Sequence, residues 1–259
     1  MVKDFTTSLK HSNILKNVRM LGQNYRYKMS KIINSLIAKK NPQKARVLQR
    51  FFKTGKGEYG EGDIFLGVVV PEIRKIVRRY WKETSLEKAK ELLHNKYHEA
   101  RLCALLILVE RYRKIESERD KIYRIYIANA KYINNWDLVD LSAPHIVGAY
   151  LQDKPKDLLY KFAKSKDLWQ KRIAILATFH YIKQGNHTET MKVATILLHD
   201  SHDLIHKAVG WMLREVGNRC NRKILTDFLD QHSHEMPRTM LRYAIERMGE
   251  KERRRHLKK

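Results

Sequence analysis

The run Asn134-Asn135-Trp136-Asp137-Leu138-Val139-Asp140 sets an aromatic ring and a carboxylate four residues apart. On a helix that spacing puts Trp136 and Asp140 on one face, one turn from each other. Asn135 and Asp137 suit cap positions, where a side-chain oxygen takes up a free backbone N–H. Asp140 has no such ordinary use. It either closes a salt bridge, for which Arg172 stands in the matching register, or supplies a negative charge that chemistry requires. A second constellation, Lys207, Trp211 and Arg214, places a ring between two cations on one helical stripe. A Trp face packs against sugars or bases and an arginine fork binds phosphate. The competing use of Trp211 is core packing, the role assigned to Trp81 and Trp169 among their apolar neighbours.

The elements that must carry these residues are helices. Glu99–Tyr112, Trp169–Lys183, Asp203–Val216 and Arg238–Met248 repeat apolar residues three and four apart, with Arg, Lys or Glu between them. The single β-rich run, Ile64 to Val70, is short and stops at Pro71, so the expected fold class is all-α. Four of the helices share a phrase centred on Arg101, Arg172, Lys207 and Arg242, at spacings of 71, 35 and 35. The missing member falls near Trp136 to Asp140. A period near 35 predicts a HEAT-like solenoid of helix pairs, each repeat burying its apolar face against its neighbours. Its concave, basic groove would collect Arg101, Trp136, Asp140, Arg172, Lys207 and Trp211.

Charge says what such a groove would hold. Lys plus Arg is 53 against 28 for Asp plus Glu, a net charge of +25 on 259 residues, at a sequence pI near 10.0. Self-repulsion on that scale persists where a polyanion is the partner, and nucleic acid is the first candidate. With 43% hydrophobic residues the chain can bury a core, and no apolar run is long enough to span a bilayer. The expectation is a cytoplasmic protein with no membrane partner. Cys103 and Cys220 read as buried hydrophobes, and no Cys/His set has zinc spacing. His202 and His206 have helical spacing beside His199 but lack a third ligand, so no metal is expected.

Residues 29–250 are expected to form one repeat domain. Before it, residues 1–28 carry six Lys/Arg against Asp4 and read as a loosely ordered basic arm. Met29 precedes a better helix, Ser30 to Lys40. Thr54 to Gly62, with four glycines, reads as a flexible loop, and Lys251 to Lys259 as a basic helix end or fray.

Four blocks, Leu66-Gly67-Val68-Val69-Val70-Pro71-Glu72-Ile73-Arg74, Asn135-Trp136-Asp137-Leu138-Val139-Asp140, Leu168-Trp169-Gln170-Lys171-Arg172-Ile173-Ala174 and Lys207-Ala208-Val209-Gly210-Trp211-Met212-Leu213-Arg214-Glu215, agree in order, spacing and type with one family. Between about Met29 and Met248 the chain resembles the AlkD-like DNA alkylation repair family. The resemblance implies a HEAT-like fold around duplex DNA. It also implies a monofunctional DNA glycosylase, without cofactor, that starts base excision repair by releasing N3- and N7-alkylated purines such as 3-methyladenine and 7-methylguanine. Asp140 matches the family's catalytic carboxylate, Trp136 and Trp211 the two tryptophans flanking the lesion's deoxyribose, and Arg172 and Arg214 cations beside them. The family is thought to act while the lesion stays stacked, without the base flipping that most base-processing enzymes use.

Phe51 and Val69 stand where well-known bacterial members carry a Tyr and a Gln, which bears on substrate range more than on reaction class. Arg101, Lys207, Arg214 and Arg242 are the expected DNA contacts. The partner implied is duplex DNA holding alkylated purines, bound by a monomer. A non-catalytic repeat protein that binds damaged or branched DNA by shape and charge is the alternative, and a scaffold for an acidic protein a third.

Overall fold

The computed structural model describes residues 31–257, so the basic arm expected at 1–28 lies outside them. The chain divides into two compact units, Met1–Ile107 and Leu108–Lys259. Among the described residues the secondary structure is helical, apart from one isolated parallel bridge between Ile64 and Tyr97. None of these helices is long and apolar enough to cross a membrane.

In the first unit, helical residues 31–37 (α1) bury Ile32 and Leu36. Asn41 then caps α2 (Pro42–Phe51), accepting the Lys44 N–H at 2.9 Å, and Pro42 fills the first helical position where no donor is lost. The Gly-rich stretch expected as a loop is one, and the β-rich run beyond it forms only the bridge at Ile64. The reason is a buried carboxylate. Glu99, at the start of α5 below, accepts the N–H groups of Leu66, Gly67 and Val68 at 2.8 to 3.2 Å, donors a strand would have spent on a ladder. Gly67 sits at φ +84° with Asn41 O so near that a Cβ would lie 2.1 Å from it, so only glycine fits. From Val69 the chain enters α3 (Val70–Tyr80), α4 (Leu86–Leu93, capped by Ser85) and α5 (His98–Lys114), whose residues from Leu108 on belong to the second unit.

The second unit is a stack of helices of 4 to 17 residues. They are α6 (Arg119–Ala128), α7 (Trp136–Asp140), a π-helical stretch Pro144–Gly148, α8 (Asp157–Ala163), α9 (Leu168–Ala177) and α10 (Phe179–Ile182). Then come α11 (Thr188–Ile196), α12 (Asp203–Arg219), α13 (Arg222–His232), α14 (Arg238–Ala244) and α15 (Glu250–Leu257). The tail is thus helical as far as Leu257. One layer runs α7, α9, α12, α14, each packed on the next, and α8 packs on both α9 and α11. The predicted helix over Trp169–Lys183 is interrupted at Thr178, whose Oγ1 donates to Ile175 O at 2.7 Å and competes with the helix ladder.

Polar links between neighbouring repeats recur at sequence separations of 28 to 32. Examples are Tyr150 to Asp120, His180 to Gln152, Lys171 to Asp200, Arg172 to Asp140, Arg214 to Glu246 and Arg222 to Glu252.

Where neighbouring helices of this layer approach closely, a glycine permits it. A Cβ on Gly210 in α12 would meet Met240 O of α14 at 2.3 Å. Gly→Ala inside a helix ordinarily gains about 1 kcal/mol. At Gly210 the sign reverses: Gly210→Ala is expected to cost about 1–3 kcal/mol through overpacking. Gly249→Ala, with nothing within 4 Å of its Cβ, should stay within about 0.5 kcal/mol. Urea unfolding of the two variants side by side checks this, and equal midpoints would contradict the close approach of α12 and α14.

Candidate nucleic-acid site

Asp140 ends α7 because the ladder is lost at Ser142: its N–H turns to Val139 O, and its Oγ takes the Leu138 carbonyl that the next α-helical bond would have used. The start of the same helix is set by Asn135, whose Oδ1 accepts the Trp136 N–H at 2.8 Å. Asp137 is buried and turns its Oδ1 to the Leu138 N–H. Trp136 and Asp140 therefore share one face of a five-residue helix, with Trp136 half-buried.

Arg172 defines the carboxylate. Its Nε donates to Asp140 Oδ1 and its Nη2 to Oδ2, both at 2.8 Å, while Nη1 donates to Leu204 O at 2.6 Å. Only 13% of the Asp140 side chain and 6% of the Arg172 side chain are exposed. The salt bridge anticipated from register is present, in the bidentate form that a guanidinium fork favours. It does not exhaust the carboxylate, since each oxygen has two lone-pair directions and Arg172 takes one at each. Burial pushes the Asp140 carboxyl above the usual carboxylate range; Arg172 opposes this and the neighbouring charge of Asp137 adds to it. Sequence spacing gives Asp137 only a cap role; its charge also acts on Asp140, three residues on in the same short helix.

Trp211 lies on α12, half-buried, its ring 5.8 Å from that of Phe179 in a tilted contact. Arg214 is mostly buried, paired with Glu246 and 3.8 Å from Glu215. Burial lowers its pKa, as does the charge of Arg247. Lys207 forms an i, i+4 pair with Asp203 at 2.7 Å and remains 40% exposed. Arg242 is exposed, has no ion pair among the described residues, and lines a cavity of about 590 Å³ with Tyr243, Glu246 and Arg253.

Arg101, expected as a phosphate contact, is a correction. Its guanidinium is buried, with Nη2 donating to Asp63 Oδ1 at 2.5 Å and Nη1 to Asn95 O at 3.3 Å, and Asp63 also meets His98 Nδ1 at 3.0 Å. The helical period placed Arg101 by analogy with Arg172, but a buried acid in the preceding loop turns it inward. Phe51 and Val69 are both exposed in the first unit. Trp169 is buried as assigned, and Trp81 is half-buried with Lys82 over its ring.

Burial pushes the Cys103 thiol up to about 12, and Cys220 is half-buried, not fully enclosed as expected. His202 caps α12 through Nδ1, and His206 Nε2 meets Asp200 O. Among the described residues no group of three His, Cys, Asp or Glu side chains could hold a metal ion.

A family model for the DNA alkylation repair enzyme matches residues 32–248. The chain belongs to that family. A solved structure, a predicted DNA alkylation repair enzyme from Enterococcus faecalis, is similar to it with a TM-score of 0.65 at 16% identity, over 82% of this chain and 98% of that one. That likeness is one of fold. No curated protein matches the sequence significantly.

For this DNA alkylation repair protein, the ion pair makes a stability prediction. Arg172→Ala leaves a buried carboxylate unpaired and is expected to cost about 3–5 kcal/mol. Adding Asp140→Asn to that variant removes the stranded charge and should recover part of the loss. Urea titration of the two single variants and the double variant reads the coupling, and strictly additive losses would contradict it.

Proposed function

We propose that this protein is a monofunctional DNA glycosylase. It hydrolyses the N-glycosidic bond of N3- and N7-alkylated purines, such as 3-methyladenine and 7-methylguanine, in duplex DNA, and it needs no base flipping. The observation that carries the reading is Asp140: a carboxylate held by Arg172 on the face of Trp136, in a family of DNA alkylation repair enzymes. The net charge of +25 supports DNA as the partner, bound in the basic groove of a HEAT-like repeat domain.

The chemistry suits these residue types. An alkylated purine already carries a positive charge, so its C1′–N bond breaks with the electron pair leaving on a neutral base, and no acid need protonate it. Oxocarbenium character develops on the deoxyribose. Asp140 stabilises it electrostatically and orients the water whose oxygen bonds to C1′, the water's proton passing to solvent. The faces of Trp136 and Trp211 add attraction to the same developing charge. Arg172 keeps the carboxylate in place, and Lys207, Arg214 and Arg242 are proposed to meet DNA, Arg214 by exchanging Glu246 for phosphate. Because a base activated by its own charge leaves without pocket contacts, selectivity arises from the lesion itself.

The deciding experiment is release of 7-methylguanine and 3-methyladenine from methylated duplex DNA in excess EDTA. Wild type should release both, and Asp140→Asn should lose at least about 10²-fold in rate while binding duplex as well or slightly better. No release by wild type, with salt-sensitive DNA binding in both, would leave a non-catalytic repeat protein that recognises DNA by shape and charge.

A pH prediction follows from the burial of Asp140. The reaction uses the ionised carboxylate, so the rate falls as pH drops through its pKa. Burial raises that pKa, so the acid limb of base release should lie above the ordinary Asp value of about 3.9. Arg172 pulls the pKa down, and weakening its grip in Arg172→Lys should move the limb to higher pH. A limb at the ordinary value and insensitive to Arg172→Lys would assign it to another group.

A further inference from the structure

Phe179, which opens α10 in the second unit, has two cations on its ring. Lys183 Nζ lies 4.4 Å from the ring centroid and Arg219 Cζ 5.6 Å from it, while the Trp211 ring stands 5.8 Å away. Arg113 completes the group. It donates to His145 Nδ1 at 3.2 Å and is near enough to Lys183 to act on its charge. The Arg113 and Arg219 side chains are each 50% exposed, and Lys183 is exposed as well.

The available acids do not neutralise this group. Glu215 is a single buried carboxylate shared by Arg219 at 2.6 Å and Arg214 at 3.8 Å, and Glu110 lies 3.8 Å from Arg113. No ion pair reaches Lys183 among the described residues, and its pKa is lowered by burial and by the charges of Arg219 and Arg113. Lys183, just past α10, and Arg219, at the end of α12, repel each other across one ring, and the charge of Arg113, near the end of α5, adds to that repulsion. On an open surface, long flexible side chains relieve such repulsion by turning apart. Here the Phe179 face holds two of them by cation–π attraction.

We propose that Lys183 and Arg219, seated on Phe179, form with neighbouring Arg113 a phosphate clamp for a backbone phosphate of bound duplex DNA. The assignment rests on the functional reading above only in taking DNA as the partner; it needs no base release. Anionic phosphate relieves the mutual repulsion, and the two guanidinium forks and the ammonium offer convergent charge-assisted donors. The ring contact with Trp211 makes the clamp continuous with the candidate site. It therefore fixes the register of the duplex there and carries no sequence information.

The test is binding of an undamaged 20-base-pair duplex to the full chain as a function of NaCl. Lys183→Ala and Arg113→Ala should each reduce the slope of log K against log salt by about one unit and weaken binding roughly five- to tenfold at 0.1 M salt. Lys183→Arg should retain most of both, which separates lost charge from a lost fold. Lys161→Ala removes an exposed lysine of α8 and should leave the slope unchanged. Equal losses from Lys161→Ala and Lys183→Ala, or an unaltered slope in Lys183→Ala, would overturn the clamp. Inorganic phosphate at constant ionic strength separates the two sources of the ligand. Failure of low-millimolar phosphate to displace duplex supports a backbone phosphate, whereas displacement that disappears in Lys183→Ala would assign the site to free phosphate. If the clamp holds and no base is released, only the glycosylase reading fails; if base is released and the slopes do not move, only the clamp fails.

Discussion

One guanidinium ties three helices of the second unit together. Arg172 on α9 reaches back to both oxygens of Asp140 at the end of α7 and forward to the Leu204 carbonyl in the first turn of α12. A carboxylate this far from water is costly to keep ionised, and its burial is tolerated because the opposing charge arrives in fixed bidentate geometry. The same bonds set the register of α7 and α12 relative to α9, so the position of the carboxylate and the stacking of the repeats are one constraint. Ser142 contributes by taking the Leu138 carbonyl out of the helix ladder, so that α7 ends at the residue that meets Arg172.

The rest of the second unit follows a similar economy of short helices and cross-repeat bonds. A helix of five to ten residues is marginal alone, and its stability comes from packing and from partners in the next repeat. Polar links at separations near 30 residues provide those partners on the surface, and a glycine such as Gly210 admits the backbone of the next helix in the layer where side chains would keep it away. The first unit solves a different problem. Its chain between α2 and α3 has no regular ladder, and the Glu99 carboxylate takes the three N–H groups that this leaves.

What could be read from sequence is what depends on near neighbours and on a period. The helices, the shared face of Trp136 and Asp140, and the Arg172 partner all follow from 3.6-residue and roughly 35-residue spacings. Arg101 was misplaced because its partner, Asp63, sits 38 residues away behind a Gly-rich loop, outside any period. The break at Thr178 depends on one hydroxyl choosing a carbonyl. The cluster on Phe179 is not legible in the sequence because its cations come from three separate stretches of chain; the i, i+4 pair Phe179 and Lys183 is the one local trace of it.

A strongly cationic protein is an awkward host for the reaction proposed here, since its field draws phosphate in but opposes positive charge on the sugar. Arg172 sharpens the conflict, because the Asp140–Arg172 pair is neutral as a whole. Any help to an oxocarbenium must then come from direction: the carboxylate end toward the sugar, the guanidinium end toward Leu204 O and the protein interior. In a poorly solvated site a fixed dipole of this kind is screened far less than in water. On this argument the value of Arg172 lies less in its charge than in the orientation it enforces, and the lysine-held carboxylate of Arg172→Lys, of equal net charge, would be the poorer catalyst.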